Sequence, residues 1–186
     1  MKLRLIYLLF LSFGVAAQSQ KPPYKNPDLP VEQRVNDLLG RMTVEEKFWQ
    51  LFMIPSSTDV LTTPADKLAY KHGIFGFQLS AASQGGNTAA QMLSYNTRES
   101  GEQVVKKLNA IQKYFVEETR LGIPIIAFDE ALHGLVREGA TSFPQAIGLA
   151  ASFDTLLVSR VATAIAKESK ARGIRQILSP VINIAS

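Results

Sequence analysis

The stretch Ile123-Pro-Ile-Ile-Ala-Phe-Asp129-Glu-Ala-Leu-His133-Gly134 decides the fold. A mostly apolar run, too short for a helix, breaks into two carboxylates, an imidazole and a glycine. Buried parallel strands read this way when they deliver polar side chains to a site at their C-terminal ends.

Working outward, the same strand grammar repeats. Leu51-Phe-Met-Ile54 stops at Pro55, Gly73-Ile-Phe-Gly-Phe-Gln-Leu79 follows, and Ile177-Leu-Ser-Pro-Val-Ile-Asn-Ile184 comes last. Between them the apolar period changes from two to that of a helix. Val31 to Leu39 carries a helical stripe that Gly40 should end, and Thr43-Val-Glu-Glu46 reads as a capping box opening a helix through Gln50. Pro64 to Lys71 suits a helix, and Gln84-Gly-Gly-Asn87 a loop. Val104, Val105, Leu108, Ile111, Gln112 and Phe115 predict an amphipathic helix running to Arg120. A loop through Phe143-Pro144 leads to another helix from about Asp154 to Gly173, with Leu157, Val161, Ile165 and Ala166 inward. Four strands separated by helices mean βα units and a parallel sheet, either a barrel or an open doubly wound sheet. A complete barrel takes roughly 250 residues, so four strands are about half of one.

The 186 residues are 46% hydrophobic and 19% charged, the profile of a folded chain and not a disordered one. Residues 1–17 read as a secretory signal peptide: Lys2 and Arg4 precede an apolar run from Leu5 to Phe13, and Val15-Ala16-Ala17 suits cleavage. Removing them leaves 18 basic against 16 acidic side chains. The whole-chain net charge of +4 therefore says little about nucleic acid, and no nucleic-acid partner is expected. Nor is a membrane partner once the signal is cleaved. Residues 18–30 hold four prolines and read as an extended lead-in without helix, followed by the barrel domain at 31–186. With no cysteine and two distant histidines, neither a disulfide framework nor a zinc site is expected.

Asp129 and Glu130 are neighbours, so on a strand they face opposite ways and cannot act on one atom as a matched acid and base. A glycosidase pair sits roughly 5–9 Å apart on separate elements. One carboxylate caps or forms an ion pair while the other faces solvent, or one serves a site. His133 is a base, a hydrogen-bond donor or a structural imidazole; His72, in Lys71-His72-Gly73, reads as a helix end. Phosphate turns, a Walker loop and a Gly-x-Ser-x-Gly elbow are all missing, and the aromatics are spaced as core.

Taken together, the motifs resemble the N-terminal part of family 3 glycoside hydrolases. The blocks are Pro30-Val-Glu-Gln-Arg-Val-Asn-Asp-Leu-Leu39 with Met42-Thr-Val-Glu-Glu-Lys47, Gly73-Ile-Phe-Gly76, Asp129-Glu-Ala-Leu-His-Gly-Leu135, Ser142 to Asp154, and Ala171-Arg-Gly-Ile174 with Leu178 to Ile184. The resemblance implies a (β/α)8 barrel, here its first half, followed by an α/β sandwich. It implies retaining, exo-acting hydrolysis of β-linked glucosides or xylosides without a cofactor. The family motif places a sugar-binding carboxylate three residues before the histidine, which is Glu130 here. Glu130, Asp129 and His133 are thus the candidate substrate-binding residues. Aspartate is commoner at that place in β-glucosidases, and the longer glutamate reaches toward the sugar's far edge and favours xylose. The family's nucleophile lies in a Ser-Asp-Trp type motif, yet Trp49 in Phe48-Trp49-Gln50 is the only tryptophan. Its acid/base glutamate lies further on still. This chain alone is expected to be inactive, wanting the second half of the barrel and the second domain. The alternative reading is a short non-catalytic sugar-binding or interaction protein.

Overall fold

The computed structural model describes residues 21–55, 61, 63–78 and 99–180. The expected signal peptide at 1–17, the expected loop at 84–87 and the end of the last predicted strand at 181–184 lie outside the described residues.

The chain divides into two compact units, Met1–Arg41 and Met42–Ser186. In the first, the proline-rich lead-in is not wholly extended: Pro23–Lys25 forms one 3-10 turn, which the fixed φ of Pro22 and Pro23 permits. Helix α1 spans Val31–Arg41 and runs through Gly40. The turn is tied to the helix by the Tyr24 amide donating to Asp37 (3.2 Å) and by Arg34 Nε donating to the Tyr24 carbonyl (3.2 Å).

The second unit begins at Thr43, whose hydroxyl accepts from the Glu46 amide while the Glu46 carboxylate accepts from the Thr43 amide (2.8 Å). This capping box opens α2, Val44–Trp49. There follow β1 (Met53–Pro55), α3 (Pro64–Ala69), β2 (Gly76–Gln78), α4 (Gly101–Glu117), β3 (Ile126–Asp129), α5 (Ala146–Ala150), α6 (Thr155–Ala171) and β4 (Gln176–Ile177). The strands are shorter than their apolar runs. Leu51 is exposed outside β1, and Ile125, just before β3, exchanges both backbone hydrogen bonds with the side-chain amide of Gln112 (2.7 and 3.0 Å). The helical stripe of α4 therefore carries a polar residue that satisfies the backbone where the ladder has not yet begun.

Among the described residues four strands form one sheet, all parallel and paired in chain order, β1-β2-β3-β4. A doubly wound sheet would reverse direction from a central strand; sequential order is that of a barrel. Phe77, Ile125 and Ala127 face the helix layer, where Val104, Leu108, Ile111 and Phe115 of α4 and Val161 and Ile165 of α6 complete the core. Gly76, Gln78, Ile126, Phe128 and Gln176 alternate onto the other face. Gly76 is required by close approach, because a Cβ there would lie 2.0 Å from the Ile126 carbonyl oxygen. In α6 the inward residues are Val161, Ile165 and Ser169, whereas Leu157 and Ala166, expected inward, are exposed.

Candidate active site

The ladder of β3 ends at Asp129, whose carbonyl accepts from the Leu178 amide at 3.0 Å. Strand alternation then separates the adjacent carboxylates. Asp129 is buried with the parity of Ala127, toward the helix layer. Its Oδ2 accepts from Arg137 Nη2 at 2.8 Å, with both side chains almost fully buried. Its Oδ1 accepts from the backbone amide of Glu130 at 2.9 Å. Glu130, the first residue past β3, is half-buried, and the strand's alternation, carried one residue further, assigns it the face of Phe128 and not that of Asp129. Among the described residues its carboxylate has no hydrogen-bond or ion-pair partner.

His133 sits in the turn that follows, half-buried, its carbonyl accepting from the Phe143 amide at 2.7 Å. The turn is forced by Gly134, at φ +113°, where a Cβ would lie 2.2 Å from the Thr141 carbonyl oxygen. Thr141 in turn donates through its amide (2.9 Å) and hydroxyl (2.6 Å) to the Glu168 carboxylate on α6. Those two bonds, the hydroxyl's first, hold the Glu168 pKa below its ordinary value. Arg172 Nη2 also donates to the Glu138 carbonyl at 2.8 Å. Sequence reasoning brought Glu130 and His133 to one strand end. It missed Arg137, which in a loop reads as a solvated cation, and it could not see the Glu168 and Arg172 anchors, far off along the chain.

A cavity of about 390 Å³ lies on the helix side of β3 and β4, lined by Ala131, Leu149, Val158, Val161, Ile165 and Ile177 among others. It is apolar, and neither Glu130 nor His133 lines it, so it is not where a sugar would meet these side chains. Among the described residues no group of three histidine, aspartate or glutamate side chains could hold a metal ion. No helix there is long and apolar enough to cross a membrane.

Residues 43–186 match the family described as the glycosyl hydrolase family 3 N terminal domain. The chain belongs to glycoside hydrolase family 3. β-Glucosidase C of Emericella nidulans is 30% identical over 206 residues, covering 99% of this chain and 31% of that protein. A periplasmic β-glucosidase/β-xylosidase of Dickeya chrysanthemi is 32% identical over 181 residues, covering 88% of this chain and 25% of its own length. Among solved structures, a β-glucosidase from Erythrobacter marinus superposes with a TM-score of 0.69 at 32% identity, over 88% of this chain and 20% of that one. The family 3 chain thus spans between 20 and 31% of the length of these relatives. The sequential parallel sheet is the first half of a TIM-type barrel, as the sequence leads one to expect.

Proposed function

We propose that this chain is the sugar-binding first part of a secreted, retaining, exo-acting β-glycosidase of the β-glucosidase or β-xylosidase type. The observation that supports the reading is the half-buried Glu130 carboxylate just past the end of β3, which has no hydrogen-bond or ion-pair partner among the described residues, while its neighbour Asp129 is paired with Arg137. Glu130 accepts hydrogen bonds from the hydroxyls of the terminal sugar, away from the scissile bond. His133, one turn on, donates to the same ring. Charge-assisted hydrogen bonds of this kind are the strong ones, and their binding energy serves catalysis when it orients the reacting carbon.

The nucleophile and the acid/base carboxylate are contributed by segments outside these 186 residues, in the second half of the barrel and a following domain. Two carboxylates on separate elements are what retaining hydrolysis needs, and a covalent glycosyl intermediate forms on one of them. The signal-like residues 1–17 and the periplasmic relative support export. The reach of glutamate, one methylene longer than aspartate, supports xylose over glucose, whose hydroxymethyl group needs the same space.

The test is to isolate the protein from its own source, weigh it, and assay 4-nitrophenyl β-D-xyloside and β-D-glucoside. A species roughly three to five times 20.4 kDa that turns over both is expected, as the shares of the relatives imply. The recombinant 186-residue chain should give no turnover above buffer. Turnover by that short chain would overturn the division of labour.

A further inference from the structure

Immediately past β3 the next two backbone amides are held by side chains. The amide of Glu130 donates to Asp129 Oδ1 (2.9 Å), and the amide of Ala131 donates to Ser179 Oγ (3.2 Å). The direction in which Glu130 leaves the strand is therefore set by Asp129, and Asp129 is fixed by Arg137. Arg137 is itself held in a short turn, its amide donating to the Leu135 carbonyl at 2.8 Å. The loop around it is anchored to α6 through Thr141 with Glu168 and through Glu138 with Arg172. A series of contacts runs from α6, on the helix side, to the peptide that carries Glu130.

We propose that Arg137, acting through Asp129, is a positioning residue that fixes the reach of Glu130 into the barrel mouth and so sets the choice between pentoside and hexoside. The inference rests on the reading of Glu130 as the sugar contact. A buried ion pair is a poor device for stability alone, since desolvating two charges offsets their attraction and an apolar pair does as well. Here the pair supplies direction: one carboxylate oxygen faces the guanidinium, the other the amide of the residue that must point correctly. The planar fork of arginine holds that geometry, which a lysine ammonium does not.

The test uses the protein as its source makes it, with kcat and KM for the xyloside and the glucoside. E130Q, D129N, R137K and the double variant E130Q/D129N are compared. D129N and R137K should each lower kcat/KM roughly tenfold, the scale of one lost hydrogen bond. They should also move the xyloside-to-glucoside ratio in the same direction as E130Q. The double variant should fall within about twofold of E130Q alone, because a group that acts only through Glu130 has nothing left to act on. Losses that multiply, or a ratio unmoved by D129N and R137K, overturn the proposal while leaving Glu130 as the sugar contact. An E130Q protein with wild-type kinetics removes that contact and the proposal with it. Should D129N fail to fold, R137K takes its place in the same cycle, as the double variant E130Q/R137K, with the same outcomes.

Discussion

Gln176 on β4 places its side-chain nitrogen 3.9 Å from the sulfur of Met53 on β1. Three strand spacings separate these residues, about 14 Å in a flat sheet. Inward side chains standing perpendicular to such a sheet would not meet. The sheet is therefore curled toward the face that carries Met53 and Gln176, which makes that face concave.

Within the sheet, β2 and β3 approach closely at Gly76. A methyl group at Gly76 would sit 2.0 Å from the Ile126 carbonyl oxygen, a backbone atom that cannot rotate away. Gly76→Ala should destabilise the protein by about 3 kcal/mol or more, at the upper end of overpacking costs. Thermal melting checks this; an unchanged melting temperature would mean that β2 and β3 are not in the register described.

Acid should weaken a second contact. Glu46 is buried and pairs with Arg120, whose Nε donates to it at 2.8 Å. That hydrogen bond is the largest cause holding the Glu46 carboxyl below its ordinary value of 4.5. Since the folded pKa is the lower one, the stabilisation is complete above about 4.5 and is lost as pH falls through the folded value. Arg120→Met should flatten this acid limb and cost about 1–3 kcal/mol near neutrality. Most of that cost is the buried carboxylate left with the Thr43 amide but without its cation, because Arg120 is half exposed and its share of the attraction is screened. Denaturant melts between pH 3 and 7 provide the comparison, and parallel curves for the two proteins would contradict it.

The turn bearing His133 makes a third case. Gly134→Ala combines a φ of +113° with a 2.2 Å clash against the Thr141 carbonyl. The turn should open and carry His133 away, raising KM for β-glycosides in the protein from its source more than about tenfold, with a stability loss of roughly 1–3 kcal/mol. Kinetics and melting measured together separate the two; a melting loss with unchanged KM would place His133 outside the site.

Local chemistry explains what the sequence made legible. Thr43 with Glu46 and Asp154 announce helix starts through side chains that bond within three residues. Thr63 with Asp66 and Ser100 with Gln103 form the same box, and it too is written within four residues. Helix α5 escaped because five residues around Gly148 carry too little period. Leu51 and Phe52 read as strand by composition, yet they lie in the turn leaving α2. At the site, strand alternation alone separates Asp129 from Glu130. What it could not supply was the partner: Arg137 and Ser179 reach the strand end only through tertiary folding, and nothing in their neighbours marks them.

The most direct test of the account is a crystal structure of the protein from its source with xylose or glucose bound. The expected result is a ring hydroxyl about 2.6–3.0 Å from a Glu130 carboxylate oxygen, within hydrogen-bond range, with the Asp129–Arg137 pair intact behind it. A sugar seated at the barrel mouth with Glu130 turned away and unbonded would contradict the account.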